Sequence, residues 1–118
     1  MQDYKKLQVW QNSKKFVKDI YKITSLYPSE EIYGLTNQMR RASTSIPANI
    51  AEGCSRSSTK DFSNFLNIAL GSANELSTFI EISLDLEFIN MDTFNNLQKE
   101  IELIKVMLIN LISKVRKH

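Results

Sequence analysis

The stretch RRASTSIPANIAEG, Arg40–Gly53, decides how this chain is read. Counting back from Ile46 by four and three reaches Ala42, Met39, Leu35 and Ile32, one face of a helix. Counting forward meets Pro47, which has no N–H and crowds the Ser43 carbonyl. The spacing therefore predicts a helix bent near Ser43, with the hydroxyls of Ser43, Thr44 and Ser45 bonding nearby carbonyls. Asn49 falls where the apolar stripe would continue; if buried there, it must find partners, and it could fix helix register. Ser29 is the expected cap of this helix, with Glu30 and Glu31 near its positive end, and Gly53 its expected stop.

The same rhythm extends outward. Upstream, Val9, Ser13, Phe16, Ile20, Ile23 and Tyr27 form one stripe, which Pro28 ends. Downstream, the polar CSRSST leads to Ser58 and Asp61 at capping-box spacing. Phe62, Phe65, Leu66, Ala69, Ala73, Leu76, Ile80 and Leu84 follow. The small residues of ALGSA, 69–73, let a neighbouring helix come close, and a run to Phe88 would be about 45 Å long. Asp92 is the expected cap of a last helix whose seam is Leu97, Ile101, Ile104, Leu108, Leu111 and Val115. Leu103, Val106, Met107 and Ile109 add apolar surface beyond that seam. With Trp10, Val17 and Tyr21 on the first helix, they argue for self-association. Four amphipathic helices with short connections make an all-α, antiparallel up-down-up-down four-helix bundle in one domain, 1–118, with its second helix kinked at Pro47.

Charge is unevenly placed. Residues 1–60 hold ten basic and five acidic side chains, 61–98 hold six acidic and no basic ones, and 99–118 hold five basic and two acidic. The acidic segment is thus expected to lie against basic ones, within a chain or between chains, and a basic surface is left for a polyanion. Lys114, Arg116 and Lys117 place part of that basic charge at the C-terminus. Arg40 and Arg41 have no acid at helical-neighbour spacing. Each must pair across helices, pair across subunits, or stay free for a phosphate, with Glu75, Glu81 and Asp85 as candidate partners.

Catalytic chemistry finds little support. His118, the lone histidine, is the final residue, and no Glu-x-x-His pair supplies a di-iron site. Cys54 has no partner base, although Arg56 nearby could lower its pKa. Glu52 and Glu75 could form an acid–base pair, but separate salt bridges are the simpler reading. We expect no catalytic activity, metal or cofactor. The apolar runs are too short to span a membrane, and MQDYKKLQVW has no signal-peptide core, so a cytoplasmic protein is expected.

The segment LTNQMRRASTSIPANIAEGCSRSSTKDFSNFLNIALGSANEL, 35–76, closely resembles the bacterial 23S ribosomal RNA intervening-sequence protein family. YKKLQVWQNSKKFVKDIY and FIEISLDLEFI extend the resemblance over nearly the whole chain, while the last helix matches only in pattern. The resemblance implies a homo-oligomer, a pentameric ring of bundles, with no known catalytic activity. A more distant similarity is to the accessory protein of diversity-generating retroelements, a basic pentamer that partners reverse transcriptase and nucleic acid. The candidate nucleic-acid or assembly residues are Arg40, Arg41, Arg56, Lys60, Lys14, Lys15 and Lys18; Pro47, Asn49, Glu52, Gly53 and Glu75 are candidate structural residues. RNA or DNA is the expected partner beyond the chain itself, read by charge and shape. A protein partner on an interaction scaffold is the alternative.

Overall fold

The computed structural model describes residues 3–117. It contains four helices: α1 (Gln8–Thr24), α2 (Leu35–Cys54), α3 (Thr59–Asp85) and α4 (Met91–Arg116). A single 3-10 turn, Tyr4–Lys6, precedes α1, and another, Ser29–Glu31, lies between α1 and α2. The body measures 45 × 24 × 20 Å, which fits α3 and α4, each about 40 Å long, lying side by side with the shorter α1 and α2.

Contacts between successive helices run in reverse order, so neighbours are antiparallel. Arg40 of α2 meets Thr24 of α1, while Pro47 lies beside Lys14 and Val17. Met39 and Ser45 meet Ser83 and Ser72 of α3. Ser63 and Ser77 meet Arg116 and Gln98 of α4. Each helix touches its two neighbours, α4 closes the square against α1, and the diagonal pairs stay apart. The expected stripes fill the centre: Phe16, Ile20, Met39, Ile46, Leu66, Leu76, Ile80, Ile101, Ile104 and Leu108 are fully buried. On α4 the seam drifts by one position, so Ile112 is buried where Leu111 was expected, and Leu111 is half-buried.

Four helix boundaries differ from the sequence expectation, three of them at α2 and α4. α2 starts at Leu35, because the Gly34 backbone is not helical. Glu31 of the preceding turn accepts the Leu35 N–H at 3.1 Å, so it caps α2 in place of Ser29. Ile32 is left 48% exposed and leaves the expected stripe. Gly53 does not stop α2; it is buried inside the helix, where a Cβ would sit 3.0 Å from Phe62 and Phe65. Its role is close approach to the start of α3. Asn90, not Asp92, caps α4, its Oδ1 accepting the Thr93 N–H at 2.8 Å.

The start of α3 follows the sequence and its end does not. Ser58 Oγ accepts the Asp61 N–H at 3.1 Å. α3 stops at Asp85 rather than Phe88 through a Schellman turn. The Phe88 N–H bonds the Ser83 carbonyl and the Glu87 N–H bonds the Leu84 carbonyl, both at 2.9 Å, with Glu87 at φ 63°.

α2 continues through Pro47 to Cys54. Ser43 and Thr44 donate to the Arg40 carbonyl, and Thr44 also lies within bonding distance of the Arg41 carbonyl. Asn49 is half-buried and satisfied, its amide donating to the Ser45 carbonyl and hydroxyl at 2.8 and 2.9 Å. Ser45 meets Ser72 at 2.9 Å, so this polar chain ties α2 to the ALGSA segment of α3.

Candidate nucleic-acid interface

The up-down topology turns charge segregation along the chain into polarity along the bundle. One end gathers the start of α1, the end of α2, the start of α3 and the end of α4. It carries Lys5, Lys6, Arg56, Lys60, Lys114, Arg116 and Lys117 against Asp3, Glu52 and Asp61. The opposite end carries Glu30, Glu31, Glu81, Asp85, Glu87 and Asp92 against Lys22, Arg40 and Arg41. Only one ion pair among the described residues falls at the basic end, Arg56 to Glu52 at 2.9 Å. Both its side chains are about half exposed, so it adds little stability.

Side chains hold part of this end in place. The Arg56 guanidinium lies 4.7 Å from the centre of the Phe65 ring. Arg116 Nε donates to Ser63 Oγ at 3.1 Å, which pins the end of α4 to the first turns of α3. Beside Arg116 lies an open depression of about 270 Å³ lined by Thr59, Lys60, Ser63, Asn64 and Arg116. Lys114 borders a second one with Leu7, Gln8 and Asn110, beside the start of α1. Two cations, two hydroxyls and one amide lining the first depression are chemistry suited to phosphate oxygens.

The seven basic residues singled out from sequence do not form one patch. Arg56 and Lys60 sit at the basic end. Lys14 and Lys18 flank a groove between α1 and α2, and Lys15 is exposed on α1. Arg40 turns to α1: Nε donates to Thr24 Oγ1 at 3.0 Å, and the guanidinium lies 4.5 Å from the centre of the Tyr21 ring. Neither Arg40 nor Arg41 forms an ion pair with Glu75, Glu81 or Asp85 within the chain. Arg41 and Glu75 are exposed. Sequence reasoning named Lys114, Arg116 and Lys117 but did not join them to Arg56 and Lys60. The signal was the alternating helix direction, which places the end of α4 beside the start of α3.

Cys54 corrects a sequence expectation. It is buried, and burial pushes its thiol pKa up, with the negative charge of Asp3 acting in the same direction. Arg56 is engaged by Glu52, and the thiol pKa is raised rather than lowered. His118 lies outside the described residues. Among those residues no group of three His, Cys, Asp or Glu side chains is placed to hold a metal ion, and no helix is long and apolar enough to cross a membrane.

Comparison with known proteins adds two findings. The family model described as 23S rRNA-intervening sequence protein matches residues 5–110. The fold is also similar to the crystal structure of a protein with unknown function from the S23 ribosomal protein family of Bacteroides thetaiotaomicron. That similarity has a TM-score of 0.82 and 31% identity, and covers 89% of this chain and 95% of the other. No curated protein matches. Fold, motif and length agree, and the chain belongs to the 23S rRNA-intervening sequence protein family.

Proposed function

We propose that this protein is a cytoplasmic, non-enzymatic homo-oligomer, with the pentamer as the state its family resemblance implies, that binds the phosphate backbone of RNA or DNA through the basic end of the bundle. The observation that carries the reading is the convergence of basic residues from four segments on one end, against a single weak ion pair. Cyclic assembly would repeat that end around an axis, so individually weak phosphate contacts would add up. No base-reading module is present in the sequence, so recognition rests on charge and shape.

Lys114 and Arg116 also complement the dipole of α4, which is the structural reading of the same residues. Binding separates the two readings. We expect labelled RNA to bind nuclease-treated, repurified protein at about 50 mM salt and to weaken steeply by about 200 mM. Replacing Lys60 and Lys117 by Ala should flatten that dependence, by about 0.7 in slope for each single-strand phosphate that is no longer neutralised. Absence of binding at the lower salt overturns the reading.

A second reading, a scaffold for a protein partner, draws on α4. Leu103, Val106 and Ile109 are 46%, 51% and 53% exposed there. Absence of RNA binding together with capture of a defined protein through this face would favour it.

A further inference from the structure

Two surfaces of this chain are complementary to each other and cannot meet within one copy. The first is the groove between α1 and α2, about 470 Å³, lined by Lys14, Val17, Lys18, Tyr21, Thr44 and Pro47. Its walls are mostly apolar. Pro47 brings no N–H, and the Thr44 hydroxyl is engaged by the Arg40 and Arg41 carbonyls. Lys14 and Lys18 have no ion-pair partner among the described residues; the Lys14 ammonium lies 5.2 Å from the centre of the Trp10 ring.

The second surface is the outward face of α3. Ile68, Gly71, Glu75, Ile82 and Leu86 recur at steps of three, four, seven and four, so they share one side of the helix. All are exposed, the three large apolar residues by 50%, 38% and 52%. Gly71 is informative because nothing among the described residues requires it. A Cβ built there meets no atom within 4 Å, whereas at Gly53 it meets two phenylalanines at 3.0 Å. A glycine inside a helix lowers that helix's stability, so one without an internal contact points to a close approach from outside.

Charge selects the pairing. Segment 61–98 has six acids and no base, and none of those acids is ion-paired within the described chain. The exposed apolar residues of α4 instead lie among Lys99, Glu102 and Lys105, a mixed surface with no excess to offer two lysines.

We propose that the outward face of α3 docks in the α1–α2 groove of a second copy, with Glu75 against Lys18 and Gly71 at the closest approach. This deepens the homo-oligomer reading and rests on it. Groove and face are different patches, so the contact is heterologous and closes into a ring when the rotation allows.

The test is sedimentation velocity of the full chain, with circular dichroism confirming that each variant is folded. Wild type should associate at micromolar concentration. Glu75→Lys and Lys18→Glu should each raise the dissociation constant about tenfold or more, and the combined swap should recover most of that loss. Gly71→Trp, placed where the single chain has open space, should give a folded monomer. A wild-type monomer at high micromolar concentration overturns this contact and the oligomer together. An oligomer indifferent to Gly71→Trp and to the single charge changes, or a combined swap no better than either alone, overturns this contact and leaves self-association standing on another face. RNA binding uses the basic end and is scored separately.

Discussion

The Arg40 guanidinium lies 4.5 Å from the centre of the Tyr21 ring and donates through Nε to Thr24 Oγ1 at 3.0 Å. Thr24 is buried and itself donates to the Ile20 carbonyl at 2.7 Å. One arginine of the adjacent pair is therefore a strut between α2 and the end of α1, where a cation also suits the helix dipole. Its neighbour Arg41 is exposed and is held by no comparable bond among the described residues.

The pair should separate on mutation. Arg40→Ala removes a stacked cation and a hydrogen bond, which predicts a loss of about 1–2 kcal/mol in urea unfolding of the monomer. Arg41→Ala should change monomer stability by less than about 0.5 kcal/mol. If Arg41 serves assembly, its removal lowers the native mass at low micromolar concentration; unchanged mass excludes it from that role.

Glu87 supplies a different prediction. It occupies the left-handed position of the Schellman turn that ends α3, where glycine is the usual residue. Glu87→Gly should raise stability by about 1 kcal/mol, because it relieves the Cβ crowding of that conformation. Circular dichroism melts of the two proteins check it. The turn also aims Phe88 at Tyr27, with ring centres 5.1 Å apart.

Burial raises the pKa of Cys54, and it does the same for Tyr27, where the hydrogen bond with Ser83 only partly offsets it. Both acids are therefore harder to deprotonate in the folded chain than in the unfolded one. The sign follows from proton binding: the folded state holds these protons more tightly, so stability is full below the unfolded pKa values and is lost as pH rises through them. Urea midpoints should fall above about pH 8.5, and further above about pH 10. Replacing Cys54 by Ala and Tyr27 by Phe should flatten that alkaline limb. At pH 8 the native thiol should react with a disulfide reagent only as fast as the chain opens.

The bundle was legible because each stripe repeats at helical spacing and each connection carries a breaker or a cap. Ser13, Phe16 and Ile20 on α1 and Ile101, Ile104 and Leu108 on α4 are buried as that spacing requires. Where reading failed, the cause was a choice among equivalent local signals. Ser29 and Glu31 both offer oxygens before α2, and the non-helical backbone at Gly34 decides for Glu31. Asn90 and Asp92 both offer caps, and only Asn90 stands three residues before the N–H it accepts. The candidate site was less legible. Lys60 and Arg116 are distant in sequence, and only the antiparallel pairing of α3 and α4 puts them around one depression.

Gly53 and Gly71 give the sharpest contrast in the chain, because both lie inside helices and only one has an internal reason. At Gly53 an added methyl would meet Phe62 Cδ1 and Phe65 Cβ at 3.0 Å and the Phe62 carbonyl at 3.2 Å. Backbone cannot swing aside as a flexible side-chain tip can, so Gly53→Ala forces α2 and α3 apart. A loss of about 1–3 kcal/mol is expected, the usual range for overpacking. At Gly71 the methyl enters open space, and the better helix propensity of alanine predicts a gain of up to about 1 kcal/mol for the single chain. Urea unfolding at submicromolar concentration, where association is weakest, measures both. A gain at Gly71 that shrinks or reverses as protein concentration rises would mean that the glycine is kept for a contact between copies. A gain that persists at every concentration would mean that no neighbouring helix comes close there.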